Sequence, residues 1–242
     1  MTGPTPARNA ASPLARALRY GYRVPLLLWH LAVDLPLTLL LMTPLTRNVR
    51  IGGEPLEYRV IRLWQSGLMR IVGFHPRRQG TPLPGAVVFV AKREIAGWPL
   101  VGWMAARAGT IFHQRGSTES LGGVIEEMLA RLRDGRSVGV FPEGRTRDGR
   151  EVGPFHARIF TAAVEAGVPV QPVALRYGRG GHEQAMVAFR PGEGFLSNFL
   201  RLLGEPARAA EICFLEPIPA GSTEGRRRIA ELSRERIVAA MP

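Results

Sequence analysis

Residues 121–175 read LGGVIEEMLARLRDGRSVGVFPEGRTRDGREVGPFHARIFTAAVEAGVPVQPVAL, and this stretch decides the fold. Leu121, Val124, Ile125, Met128, Leu129 and Leu132 fall on one face of a helix, with Glu119 in its first turn and Gly135 past its end. A strand over 137–141 follows at once and breaks at Pro142-Glu143-Gly144. Ile159, Phe160, Ala163 and Val164 mark a second helix over 156–166, which Gly167 stops, and 168–175 reads as another strand. Helix, strand, helix, strand in such short succession predicts an α/β sheet with helices on its faces.

Working outward, Val60, Leu63, Trp64, Leu68 and Ile71 recur at helical spacing up to Gly73. Pro82, Pro84 and Gly85 make a turn before a buried strand over 86–91. A helix over 98–108 and a short strand over 110–113 are expected next. Downstream, strands over 185–189 and 211–215 and a helix over 223–240 complete the chain.

The amino-terminal region differs in kind. Val24 to Met42 reads VPLLLWHLAVDLPLTLLLM, about the 17–25 residues a helix needs to cross the hydrocarbon layer. Arg8, Arg16, Arg19 and Arg23 precede it and Arg47 and Arg50 follow, so charge does not set an orientation. Asp34 near the centre costs about 3 kcal/mol in lipid, and Pro25 and Pro36 oppose one straight helix. A single crossing and a re-entrant segment within one leaflet both fit. No small-residue cleavage site follows, which disfavours a secretory signal. The expected division is a membrane-anchoring segment over 1–58 and an α/β domain over 59–242. Lys and Arg outnumber Asp and Glu by 32 to 20, an excess that favours an anionic partner without choosing one. The lone Cys213, in an apolar run, reads as a small core residue.

Two loops follow strand ends and carry chemistry: Gly109-Thr110-Ile111-Phe112-His113-Gln114-Arg115 and Phe141-Pro142-Glu143-Gly144-Arg145-Thr146-Arg147. Each puts an Arg just past a strand, where a planar guanidinium grips phosphate bidentately. Glu143 is placed to orient Arg145 or to accept from a substrate hydroxyl; the bland alternative is a solvated loop.

From Lys92 to Tyr177 the sequence resembles the bacterial 1-acylglycerol-3-phosphate acyltransferases. KREIAGWPLVGWMAARAGTIFHQRGS resembles the region of that family's second block, with Gly109, Phe112 and Arg115 at motif positions. Phe141-Pro142-Glu143-Gly144 resembles the third block, and VPVQPVALRY the fourth, with Pro169 and Pro172 in place. The resemblance implies a mixed sheet flanked by helices, with a hydrophobic amino-terminal helix or re-entrant segment. It implies transfer of an acyl chain from acyl-carrier protein or coenzyme A to a lysophospholipid hydroxyl in phospholipid synthesis, at the inner membrane with the domain facing the cytoplasm. Under it Arg115, Glu143, Gly144, Arg145 and Arg147 inherit substrate binding; many members have Thr then Arg after the Gly, whereas Arg145-Thr146-Arg147 here offers two arginines for the phosphate, with Arg145 ranked ahead. No cofactor and no metal are implied.

The first block is the departure. The family carries a His with an Asp five positions later, after the strand that here is 86–91. A hydroxyl is a poor nucleophile until a base takes its proton. Five positions after His30, His75, His113, His156 and His182 stand Leu35, Gly80, Thr118, Thr161 and Val187. The chain runs directly from Phe89-Val90-Ala91 into Lys92-Arg93-Glu94, as if two similar strand ends had been joined and the block between them lost. His30 and Asp34 lie in the apolar segment and read as a polar contact along one helix. His156, just after the third block, is the substitute base to consider.

Three readings follow: an acyltransferase impaired by the missing pair, with 1-acylglycerol 3-phosphate as acceptor and lyso-ornithine lipid next; a non-catalytic lipid-binding or regulatory member; and, at a distance, a basic nucleic-acid-binding protein. No nucleic-acid-binding motif supports the last. The expected partners are the lysophospholipid, the acyl donor and membrane lipids, with no nucleic acid.

Overall fold

The computed structural model describes residues 12–46, 48–91, 118–143, 152–222 and 225–242. The helix expected over 98–108 and the strand over 110–113 lie outside them. The chain forms two compact units, one of Met1–His75 with Leu196–Ala207 and one of Pro76–Phe195 with Arg208–Pro242.

In the first unit α1 (Pro13–Trp29) runs through a π-helical turn (His30–Asp34) into α2 (Leu35–Leu40). Ser12 caps α1 by accepting from the Ala15 amide at 3.2 Å. Pro36 has no N–H to give the preceding turn, and the widened turn absorbs the defect, with the Leu35 amide bonding back to the His30 carbonyl. The polar contact expected between His30 and Asp34 forms at 2.7 Å, across this turn. A short hairpin of β1 (Arg50–Ile51) and β2 (Glu54–Pro55) turns at Gly52 and Gly53, both at positive φ, within a stretch whose sequence reads as a plain connection. α3 (Leu56–Val72) buries Val60, Ile61, Trp64, Leu68 and Val72. α7 (Phe195–Gly204), which the sequence reading had not placed, ends under the arginines of α1.

Those arginines define the packing. Arg23 is 2% exposed; its guanidinium donates to the carbonyls of Leu203 at 2.9 Å and Glu205 at 2.7 Å and to the Tyr22 hydroxyl at 3.2 Å. Arg19 donates to the Gly204 carbonyl at 3.1 Å, and Arg16 pairs with Glu205 at 3.0 Å. Cations are thus gathered where the helix α7 leaves its last carbonyls unpaired and its dipole is negative. Gly204 permits the approach, since a Cβ there would lie 2.8 Å from the Tyr20 hydroxyl.

The second unit is a mixed five-stranded sheet in the order β3-β7-β6-β4-β5, formed by β3 (Phe74–Gln79), β4 (Val88–Ala91), β5 (Val138–Val140), β6 (Val170–Tyr177) and β7 (Arg208–Phe214). β4 runs parallel to β5 and β6, and β7 runs antiparallel to β6. The expected α/β architecture with helices against a mixed sheet is what forms. α4 (Thr118–Arg133), α5 (Thr161–Ala166, entered by a 3-10 turn Ala157–Phe160) and α8 (Gly225–Ala240) cover Val88, Val90, Val138, Val140 and Val170 with one core. Burying each of its large side chains contributes about 1.5–3 kcal/mol. Gln171, 2% exposed, ties the turn before β4 to the sheet: its amide donates to the Thr81 and Leu215 carbonyls and accepts from the Leu83 amide, all within 3.1 Å. Burial pushes the Cys213 thiol above its ordinary value, as suits a small core residue.

One expected strand is absent. Over 185–189 the chain instead makes the short helix α6 (Gln184–Val187). Gln184 is buried and accepts from the Tyr177 amide at 3.1 Å, while the Glu183 amide bonds the Tyr177 carbonyl, so the segment folds back on the end of β6. The five apolar residues of 185–189 were too few to overcome that anchoring.

Candidate functional site

The parallel strands place the candidate site. β4 and β5 are in register with Val90 opposite Val140, and Val90 also faces Pro172 of β6. The chain therefore leaves β4 after Ala91 and β5 after Val140 at neighbouring points along the same edge of the sheet. Ligands of α/β sheets gather beyond such carboxyl ends.

At that edge Phe141 is 57% exposed while Glu143 is 5% exposed. The turn is held from its far side. His156 donates its backbone amide to the Pro142 carbonyl at 3.1 Å, and Glu143 forms an antiparallel bridge with Phe155. The Glu143 carboxylate accepts from the Gly153 amide through Oε1 at 2.6 Å. From α8, Arg234 donates through Nε and Nη2 to the Val152 carbonyl at 3.2 and 2.8 Å, and through Nε to the Gly153 carbonyl at 3.0 Å. Residues 143 and 153 are thereby pinned together.

Of the residues singled out in the sequence, Glu143 and His156 fall in this cluster. Arg115, Gly144, Arg145 and Arg147 lie outside the described residues. Glu143, read as a partner for Arg145 or for a substrate hydroxyl, gives one of its oxygens to its own loop. His156 has an exposed side chain and adjoins the turn through its backbone. Sequence reading missed Arg234 and the Val152–Gly153 peptide. Arg234 sits in a helix crowded with arginines, and nothing in its spacing distinguishes it from them.

The His30–Asp34 pair has a different geometry. His30 Nδ1 faces Asp34 Oδ2 at 2.7 Å and Nε2 faces the Trp64 carbonyl at 3.0 Å. The ring also stacks on Trp64 with centroids 5.0 Å apart. Both ring nitrogens face oxygen atoms of their own unit, so the pair holds this turn against α3 and does not follow a strand of the sheet. Among the described residues no cluster of three or more His, Cys, Asp or Glu is placed to hold a metal.

A protein-family model described as Acyltransferase matches residues 73–176, from the start of β3 to the end of β6. The lyso-ornithine lipid O-acyltransferase of Pseudomonas aeruginosa is 38% identical over 203 aligned positions, covering 75% of this chain and 76% of that protein. The protein of the same name from Rhizobium meliloti is 32% identical, covering 62% of this chain and 56% of its own. The 1-acyl-sn-glycerol-3-phosphate acyltransferase of Neisseria gonorrhoeae is 42% identical over 89 positions, 37% of this chain and 35% of that one. In fold, the chain matches the crystal structure of the 1-acyl-sn-glycerophosphate acyltransferase PlsC from Thermotoga maritima with a TM-score of 0.58, at 16% identity and over 94% of each chain.

Proposed function

This chain belongs to the PlsC-like family of lysophospholipid acyltransferases, and we propose that it binds a lysolipid through an anionic group of its head at the 141–147 turn while transferring acyl chains to it only at a trace rate. The observation that carries the reading is the end of β4. In the family pattern the proton-accepting His and its Asp follow this strand, next to the turn after β5. Here Ala91, one residue past the Val90–Val140 pair, is followed by Lys92-Arg93-Glu94. The Pseudomonas alignment supports a shortened chain: three quarters of 242 residues is fewer than the 203 positions aligned, so some positions have no residue here. Without a base the acceptor hydroxyl keeps its proton, and general base catalysis is worth about 10²–10⁴-fold.

For the acceptor, the span of the relatives favours lyso-ornithine lipid. Proteins of that name align over 59–75% of this chain, against 36–38% for those named for 1-acylglycerol 3-phosphate. Ornithine carries a carboxylate and lysophosphatidate a phosphate, and Arg145 or Arg147 suits either as a planar two-pronged donor. The formal charge of +12 suits an acyl donor on acyl-carrier protein or coenzyme A.

The amino-terminal helix Pro13–Leu40 is the one described helix long and apolar enough to cross a membrane. Its exposed face is a continuous stripe of Leu14, Leu18, Leu26, Trp29, Val33, Leu37 and Leu40, while Arg23, His30 and Thr38 are buried on the other side. A one-sided stripe on a helix of about 40 Å, against a hydrocarbon layer of about 30 Å, favours lying in one leaflet over crossing both. We place it at the inner membrane, with the sheet unit toward the cytoplasm.

The test is equilibrium binding of lyso-ornithine lipid and of lysophosphatidate to the intact chain in detergent. Arg145→Ala is expected to weaken binding by roughly tenfold or more, the worth of a charge-assisted hydrogen bond. Arg226→Ala, which loses a contact to Thr161 on an exposed surface, is expected to leave it unchanged. Equal small losses would reduce the interaction to net charge.

A further inference from the structure

The peptide group between Val152 and Gly153 joins two charges. Its carbonyl accepts from Arg234 at 2.8 Å and its N–H donates to Glu143 Oε1 at 2.6 Å, so a guanidinium and a carboxylate lie at opposite ends of one planar amide. Both residues of that peptide are buried, as is Glu143. Arg234 has no carboxylate partner among the described residues. Its neighbours differ: Arg228 pairs with Glu231 and Glu235, and Arg236 with Glu216. A charge at each end polarises the amide in the direction that strengthens both bonds. The helix bearing Arg234 is itself fixed, because Ile229, Ala230 and Ile237 sit in the same core as Val152.

We propose that Arg234 is a positioning residue for Glu143: through the Val152–Gly153 peptide it holds the Glu143 carboxylate, at the end of the turn after β5, in the place from which it serves lysolipid binding. The carboxy-terminal helix, remote in sequence from every motif, thereby sets the affinity of the site. When Glu143 is unclamped, part of the binding free energy goes into placing its carboxylate, and the apparent affinity falls by the competent fraction. The effect on lysolipid binding rests on the function proposed above, whereas the clamp itself does not.

The experiment uses the full chain in detergent and two measurements: hydrogen exchange at the Gly153 amide, and calorimetric titration with lyso-ornithine lipid and with lysophosphatidate. Arg234→Ala is expected to raise exchange at Gly153 and to weaken lysolipid binding, each by about tenfold. Arg234→Lys, able to serve one carbonyl but not the fork, falls between. Glu143→Gln shifts both readouts the same way, and the double variant is no worse than the more affected single one, because the two residues act through one peptide. Arg228→Ala, on the same helix, changes neither. The inference is overturned if Gly153 exchanges in Arg234→Ala and Arg234→Lys as it does in Arg228→Ala, or if the two substitutions add. It is overturned as well if Gly153 loosens in Arg234→Ala while lysolipid affinity stays at the wild-type value. If the wild-type chain binds neither lysolipid while Gly153 exchange still responds to Arg234, the clamp stands and the lysolipid reading falls.

Discussion

Replacing Arg23 by Leu keeps the bulk of the side chain and removes its five N–H donors. In the folded chain those donors serve the carbonyls of Leu203 and Glu205, at 2.9 and 2.7 Å, with Arg23 itself 2% exposed. Each hydrogen bond to a charged group is worth about 1.5–3 kcal/mol net, and carbonyls left buried without a donor keep their desolvation cost. Leu packs where the guanidinium stem packed and recovers part of this. A loss of about 3 kcal/mol is therefore expected, local to the carboxyl end of α7. Because 1.4 kcal/mol is tenfold in an equilibrium, amides of α7 should exchange with solvent roughly 100-fold faster. Arg19→Ala, which removes a single 3.1 Å bond to the Gly204 carbonyl from a less buried side chain, should accelerate them less than about tenfold. The assay is residue-resolved hydrogen exchange of the detergent-solubilised chain. If the two variants match, or if α7 in Arg23→Leu exchanges like wild type, the arginines of α1 are not what secures α7.

Two further outcomes are expected. A Cβ at residue 67 would lie 2.8 Å from His30 Cε1, so Gly67→Ala should push the imidazole off Trp64 and destabilise the first unit by about 1–3 kcal/mol, seen as altered tryptophan fluorescence and a lowered thermal midpoint. On cell fractionation the chain should stay with the membrane through a high-salt wash and leave it in detergent, since the exposed leucine stripe does not depend on charge; release by salt alone would mean that the positive charge holds it.

Where hydrophobic periodicity was strong, the sequence was a good guide. The face from Leu121 to Leu132 and the run Val138-Gly139-Val140 fold as read, because their apolar spacing has one core to satisfy. β3 was invisible: His75, Pro76, Arg77, Arg78 and Gln79 are all exposed, and an edge strand of that composition is made by its neighbour rather than by its own propensity. Over 185–189 a short apolar run imitated a strand, and one buried amide, Gln184, decided otherwise. The site divides the same way. The turn after β5 and the want of a His–Asp pair are local facts that the sequence displays. What holds Glu143 comes from Gly153 and, through it, from Arg234 in the last helix. Contacts set by tertiary packing leave no trace in local spacing.

We expect the chain to keep the binding turn and to lack the proton acceptor. This is tested most directly by acyl transfer from acyl-carrier protein and from coenzyme A to lyso-ornithine lipid and lysophosphatidate. The purified chain is compared with one carrying a relative's His–Asp block between Ala91 and Lys92. The unaltered chain should remain at background and the insertion should restore turnover, a gain of about 10²–10⁴-fold where general base catalysis is returned. Robust transfer by the unaltered chain, abolished by His156→Ala, would show that a proton acceptor is present and assign that role to His156.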